Sequence, residues 1–168
     1  MYATYKNTTI KYAIYEGVAE TYPRWFRQAI VDHLLVDEFG FSMYGLSTLT
    51  EGYDVFIMNA NRDIRRINMD IFDNNFITIN NTVAISRDNT ILDYCVFDGQ
   101  DHSLPDWVIE VFQEGIIARQ YGTYMFYDEN GELPLDPKFI LVRNGYAVKA
   151  MSEEDFTNKF YIVPKLSI

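Results

Sequence analysis

The chain has 168 residues, a formal net charge of −10 from 24 acidic and 14 basic side chains, and 48% hydrophobic residues. Nucleic-acid binding through a broad basic face needs cations that neutralise phosphates, so the charge argues against that class of function, and the apolar content argues against a disordered tail. An acidic surface of this kind suits a basic protein partner, or serves only to keep the chain soluble.

The cellular compartment is indicated by cysteine use and by the absence of targeting patterns. Cys95 is the only cysteine, so no disulfide can form within the chain, which is typical of a reducing compartment. The first residues lack a basic region followed by an apolar core, and no apolar run approaches the roughly 20 residues of a membrane span. We therefore expect a soluble, cytoplasmic protein with no membrane partner.

The predicted elements of the first half begin with a strand over residues 9–15 and a turn at Gly17. A helix follows, with Thr21 as its N-cap and Pro23 inside its first turn. Residues 53–58 and 64–67 form a hairpin around the turn at 59–61. A short helix capped by Asn68 then carries two phenylalanines four residues apart, and a last strand covers residues 77–79.

The second half predicts the same series. A strand over residues 91–97 leads to a helix capped by Ser103, then to a hairpin of residues 139–142 and 146–150. A short helix capped by Ser152 and a strand over residues 161–163 complete it. The polar residues 80–82 connect the halves.

Three blocks of residues match between the halves in the same order. Residues 22–26 (YPRWF) match residues 104–108 (LPDWV) at an offset of 82, and residues 10–17 match 92–99 at the same offset. Residues 72–76 match 156–160 at an offset of 84. The sequence therefore predicts an α+β fold made by tandem duplication of a strand–helix–hairpin–short helix–strand unit. We expect domains at 1–82 and 83–168, packed as a pseudo-twofold pair.

A search for catalytic and metal-binding patterns predicts no enzyme, no catalytic residue, no metal site and no cofactor. No zinc-spaced cluster, phosphate-binding glycine loop or nucleophile elbow is present. His33 and His102 are not at equivalent positions of the halves, which favours structural or solvated roles. Residues 128–132 superficially resemble a calcium loop but are better interpreted as a hairpin turn. Paired carboxylates leave a hydrolase open as a further alternative.

The acidic side chains are distributed unevenly. Residues 1–82 carry 7 basic and 10 acidic side chains, a net of −3, and residues 83–168 carry 7 basic and 14 acidic, a net of −7. Asp106, Glu110 and Glu114 are spaced four apart on the second half's first helix, a spacing that is mildly destabilising for like charges. The predicted partner-binding residues are these three together with Asp128, Glu129, Glu132 and Asp136. They form either an ordinary solvated face or a row that imitates duplex phosphates.

The second half resembles small tailed-phage proteins of unassigned role. The resemblance rests on Leu104-Pro105-Asp106-Trp107 opening a helix, on residues 139–142 before the turn at Gly145, and on the short helix of residues 156–160. Asp136-Pro137-Lys138 departs from the Gly-Asp that such proteins usually carry. In length, acidity and composition the chain is similar to the small acidic early proteins of Twort-type staphylococcal phages that inhibit the host's replicative sliding clamp. That resemblance implies a homodimer that occupies the clamp's DNA channel and blocks its loading onto DNA.

The favoured hypothesis is accordingly a non-enzymatic inhibitor of host DNA replication, which binds the basic channel of the sliding clamp and makes no direct contact with nucleic acid. The alternative is a phage nucleotide-signal sponge or a structural phage protein. A sponge needs convergent cations beside an aromatic ring, and the candidate cluster is Arg62, Arg65 and Arg66 with Tyr53.

Overall fold

The computed structural model describes residues 1–16, 21–31, 36–37, 41–42, 49–99 and 104–164. Its elements, in chain order, are β1 (Tyr2–Tyr5), a 3-10 turn (Lys6–Thr8), β2 (Ile10–Ile14), α1 (Arg24–Val31), β3 (Val36–Asp37), β4 (Phe41–Ser42), β5 (Asp54–Met58), β6 (Ile64–Asn68), α2 (Met69–Asn75), β7 (Phe76–Thr78), β8 (Val83–Ser86), β9 (Leu92–Phe97), α3 (Asp106–Gln113), β10 (Ile117–Gln120), β11 (Thr123–Asp128), β12 (Gly131–Leu135), β13 (Phe139–Asn144), β14 (Ala147–Met151), α4 (Glu153–Lys159) and β15 (Phe160–Val163). Helices and antiparallel sheets together give the α+β class that the sequence predicts.

The chain divides into two compact units. Unit N comprises Asn7–Asn89, and unit C comprises Met1–Lys6 together with Thr90–Ile168. The five-stranded sheet of unit N has the order β6-β5-β2-β8-β7, and that of unit C has the order β14-β13-β9-β1-β15. Position by position these are the same arrangement, since each sheet has a hairpin at one edge and the strand that follows a short helix at the other.

The first strand of each half of the sequence pairs in the sheet that is built mainly from the other half. β1 lies between β9 and β15 in unit C, and β8 lies between β2 and β7 in unit N. The structural division at residues 89 and 90, with residues 1–6 in the second unit, thus differs from the predicted boundary at 82 and 83. The predicted connector 80–82 is the turn of the β7–β8 hairpin, where the Asn80 side chain accepts hydrogen bonds from the Thr82 and Val83 backbone N–H groups, both at 2.9 Å.

The two longer helices begin at prolines. α1 starts after Pro23, and Pro105 is the N-cap of α3 without a side-chain capping bond. The Pro105 carbonyl accepts hydrogen bonds from the N–H groups of Val108 and Ile109 at 2.9 and 3.2 Å. Each proline therefore stands immediately before its helix and not inside the first turn as predicted, and the N-cap of α3 is Pro105 in place of the predicted Ser103. α1 begins three residues after the predicted cap Thr21. Gly17, His33, His102 and Ser103 lie outside the described residues.

The two short helices have the predicted caps. Asn68 Oδ1 accepts from the Ile71 N–H at 2.8 Å, and Ser152 Oγ accepts from the Asp155 N–H at 3.1 Å. Each helix carries a stacked phenylalanine pair, Phe72–Phe76 with ring centroids 5.4 Å apart and Phe156–Phe160 at 5.2 Å. Both predicted hairpins, β5–β6 and β13–β14, are also confirmed.

Each five-stranded sheet is covered by a longer helix on one face and a short helix on the other. In unit N, Ala13 and Phe56 pack with Phe26 of α1, while Tyr12 and Val55 pack with Phe72 of α2. Successive strand residues point to opposite faces, which divides each strand's apolar side chains between the two layers.

Unit C repeats this layering with its own side chains. Cys95 and Leu141 pack with Trp107 of α3, and Tyr94 and Ile140 pack with Phe156 of α4. Unit C also contains the three-stranded sheet β10-β11-β12, which the sequence predicted only as a turn at residues 128–132.

Candidate functional sites: an acidic face and a cationic cavity

The predicted acidic stripe lies on the exposed side of α3. Asp106 is the first residue of the helix and Glu114 is its C-cap, and the stripe's three carboxylates, including Glu110, are exposed. Trp107 and Val111, on the other side of the helix, are buried in the core of unit C. The acidic stripe of Asp106, Glu110 and Glu114 therefore takes no part in the core contacts that hold α3 against the sheet.

The remaining predicted acidic residues surround the β11–β12 hairpin, and all are exposed. Asp128 ends β11, Glu129 lies in the turn, Glu132 is in β12 and Asp136 follows that strand. The Tyr127 N–H donates to the Ile116 carbonyl at 2.8 Å, which brings the segment after α3 alongside the end of β11. The acidic stripe thus leads towards the acidic hairpin, and the hairpin interpretation of residues 128–132 is confirmed.

The predicted partner-binding carboxylates form no ion pair with any described residue. In unit C the described ion pairs are Arg143–Asp93 at 2.7 Å and Lys138–Glu153 at 3.3 Å. Asp128 accepts a hydrogen bond from the Asn130 backbone N–H at 2.8 Å, which shapes the turn. We call the seven predicted residues the acidic face.

The predicted arginine cluster of a nucleotide sponge is divided by the structure. Arg66 forms a 2.7 Å ion pair with Asp54, a buried carboxylate that also accepts from the Thr50 N–H at 2.6 Å. Arg65 is next in β6 and so points to the opposite face of the sheet. Arg66 thus has a structural role, and of the three arginines Arg62 alone lines the cavity that is described next.

That cavity, in unit N, has a volume of about 510 Å³ and concentrates positive charge. Its charged lining residues are Lys11, Arg24 and Arg62, and no carboxylate lines it among the described residues. None of the three cations forms an ion pair with a described carboxylate. The rest of the lining comprises Pro23, Trp25, Gln28, Ala29, Met58, Ile64, Thr82 and Val83. We call this the cationic cavity.

The floor of the cationic cavity is one row of paired strand residues. Ile64 pairs with Met58, Met58 with Lys11, and Lys11 with Val83, so all four side chains point to the face that α1 covers. The half-buried Trp25 contributes from α1, and its indole N–H is buried and has no hydrogen-bond partner among the described residues. The sequence signal that finds this site is Lys11, an exposed cation in the otherwise uncharged strand β2.

In the corresponding row of unit C, the two charged side chains form an ion pair with each other. The residues there are Val148, Arg143, Asp93 and Tyr2. The Arg143 guanidinium forms an ion pair with Asp93 and lies 5.0 Å from the centre of the Trp107 ring. Trp107, like Trp25, is the second residue of its helix, so the two rows are directly comparable.

Unit C has a second cavity, of about 320 Å³, with mixed charges. Asp128, Asp136 and Asp155 line it together with Lys149 and Lys159. Because two lysines accompany the three carboxylates, the charges in this cavity largely cancel, unlike those in the cationic cavity.

The remaining candidates for reactive chemistry are the single cysteine and clusters of potential metal ligands. Cys95 is buried in the β9 strand, and burial raises the pKa of its thiol, which disfavours the reactive thiolate. No group of three or more potential metal ligands occurs among the described residues.

Comparison with known proteins gives no assignment: no protein-family model, curated protein or solved structure matches the chain. Within the part of the chain that the structure describes, no helix has the length and apolar character needed to cross a membrane.

Proposed function

We propose that this chain is a phage-encoded, non-enzymatic inhibitor of host DNA replication, whose acidic face binds the basic DNA channel of the bacterial sliding clamp. The carboxylates of the acidic face would replace duplex phosphates in the channel. A clamp occupied in this way is unavailable for loading onto DNA. The proposal is supported by the resemblance to acidic phage clamp inhibitors and by the charge of the described surface.

The observation that carries the proposal is a row of exposed carboxylates that form no ion pair with a described cation. Asp106, Glu110 and Glu114 are exposed and unpaired among the described residues, and α3 leads towards a second exposed acidic group at the β11–β12 hairpin. A surface of one sign accelerates association with a surface of the opposite sign and excludes partners of like charge.

The fold itself does not require this charge. In unit N the corresponding helix positions carry Arg24 and Gln28 in place of Asp106 and Glu110, and that helix packs on its sheet in the same way. Like charges four residues apart weaken an isolated helix slightly. The acidic stripe therefore slightly destabilises α3, and a binding function would explain why the sequence has it.

The proposal also includes the origin and assembly of the chain. We infer a tandem duplication from the three matching sequence blocks together with the shared strand order of the two sheets, with the first strand of each copy exchanged, and a pseudo-twofold pairing of the copies. A homodimer would present two acidic faces to the wide clamp channel.

The test is the affinity for a purified sliding clamp, measured by calorimetry across a salt series. Wild type is expected to bind with an affinity that falls as salt rises, and DNA is expected to compete for the same surface. Reversal of Asp106, Glu110 and Glu114 to Lys should lower the affinity by at least about a hundredfold, while Glu110→Gln alone should lower it by no more than about fivefold.

The matched control reverses three exposed carboxylates elsewhere, Glu51, Asp73 and Glu154, and so changes the net charge equally. It should retain most of the wild-type affinity. Salt-independent binding, equal losses in both triple variants, or no binding to the clamp would contradict the proposal.

A further inference from the structure

We propose that the cationic cavity of unit N binds a phosphorylated small molecule of about nucleotide size, with its phosphates at Lys11, Arg24 and Arg62 and its ring system beside Trp25. The inference does not depend on the proposed clamp inhibition, because it concerns other residues in the other unit.

The charges are the first argument. Three cations line one cavity, no described carboxylate lines it, and none of the three forms an ion pair with a described residue. The chain as a whole has a net charge of −10, so the charge of this cavity is opposite in sign to that of the protein. Arginine is especially suited to phosphate, because its planar fork donates two parallel hydrogen bonds.

The position of Arg24 adds to this argument. Arg24 is the first residue of α1, and no acidic residue lies in the first turn of that helix. The helix dipole makes this end favourable for anions and unfavourable for a cation. A bound phosphate would reverse this penalty, since it would interact favourably with both the helix end and the guanidinium.

The size and the apolar part of the lining point to an organic ligand and not to a bare ion. A volume of about 510 Å³ lies within the range of small-molecule sites, which combine apolar walls with a few polar groups. Trp25, Met58 and Ile64 supply apolar surface next to the cations. A planar ring against these side chains and phosphates against the cations would use both parts.

The backbone of Arg62 is the second independent observation. Arg62 has φ of 65°, in the left-handed region that favours glycine. In unit C the shorter turn between the corresponding strands has Gly145 in this region, with φ of 59°. A large side chain kept in an unfavourable conformation at the edge of a cavity is typical of a functional position.

Unit C shows that the scaffold does not need an open cationic cavity here. At the corresponding row, Arg143 is paired with Asp93 and lies over the Trp107 ring. Unit N has Met58 and Lys11 at those two positions, which leaves a cation without a described partner. The ligand would supply in unit N the negative charge that Asp93 supplies in unit C.

The experiment is calorimetric titration of the intact protein at low salt with ATP, pyrophosphate and citrate. ATP is expected to bind more tightly than pyrophosphate because it adds the ring, and citrate should bind most weakly. Arg24→Gln and Arg62→Asn should each lower ATP affinity about tenfold, since each removes charge-assisted hydrogen bonds, and asparagine still tolerates the left-handed backbone. Trp25→Phe should lower the affinity for ATP but leave that for pyrophosphate unchanged.

The controls are Arg27→Gln on α1 and Arg65→Gln on β6, exposed cations that do not line the cavity. They should change ATP affinity by less than about twofold, the scale of a screened, distant charge. Absence of ATP and pyrophosphate binding by the wild type would overturn the proposal, and so would equal losses in the controls. Citrate binding as tight as ATP binding would show a site for polyanions in general and would overturn the assignment to a phosphorylated ligand.

Discussion

Units N and C build the same five-stranded arrangement and then place opposite charges around it. In unit N the helix that covers the sheet begins with Arg24 and Trp25, and in unit C with Asp106 and Trp107. Beneath them, Lys11 in one unit corresponds to Asp93 in the other. The scaffold determines where these side chains lie, and the side chains alone determine whether the surface attracts anions or cations.

The largest expected difference between the units concerns the two tryptophans. Trp107 is only 9% exposed, whereas Trp25 is half-buried. Trp107→Ala should lower the free energy of unfolding by about 3–5 kcal/mol, and Trp25→Ala by roughly half as much, because part of that ring already faces solvent. Urea denaturation of both variants measures the difference, and equal losses would show that the two rings are equally important to their cores.

A smaller effect on stability is expected from the Arg143–Asp93 ion pair of unit C. Arg143→Met places in unit C the residue that unit N has, and leaves the Asp93 carboxylate without its partner. We expect a loss of about 1–2 kcal/mol in the free energy of unfolding from the ion pair and the contact with the Trp107 ring.

Two variants serve as controls for this loss. The double variant Arg143→Met with Asp93→Asn should recover part of it, because no unpaired carboxylate remains. Lys138→Met, which breaks an ion pair whose side chains are 54% and 66% exposed, should change stability by less than about 0.5 kcal/mol. A negligible effect of Arg143→Met would mean that the two rows do not differ in energy as their geometry indicates.

The smallest effect concerns the turn between the hairpin strands. Arg62→Gly gives unit N the residue type that unit C uses at Gly145, and removes the left-handed strain of a large side chain. We expect the free energy of unfolding to rise by up to about 1 kcal/mol while ATP affinity falls about tenfold, as it does for Arg62→Asn. Arg65→Gly, inside β6, should instead lower stability by about 1 kcal/mol. Thermal denaturation distinguishes these outcomes, and a destabilised Arg62→Gly would show that no strain is relieved.

Local signals predicted much of each unit. The caps Asn68 and Ser152 and the two hairpins depend on neighbouring residues only, and the structure has them where the sequence places them. The exchanged strands were missed, because β1 is four residues long and its partners β9 and β15 are distant in the chain. No local pattern specifies which sheet such a strand joins.

The candidate sites were predictable to different degrees. The acidic stripe follows from helical spacing alone, and its residues are exposed as that spacing requires. The cationic cavity was not predicted, since it depends on the strand register that brings Lys11 beside Met58 and Val83. The sequence did predict Arg62 as part of an anion site, but it grouped Arg62 with Arg66, which forms an ion pair with the buried Asp54.

The division of roles between the units is tested most directly by hydrogen exchange on the intact protein, measured by mass spectrometry with the purified clamp and separately with ATP. The account predicts that the clamp protects peptides within residues 106–136, and that ATP protects peptides within residues 24–31 and 58–64. Protection of residues 24–31 by the clamp in place of residues 106–136, or of residues 106–136 by ATP, would contradict it.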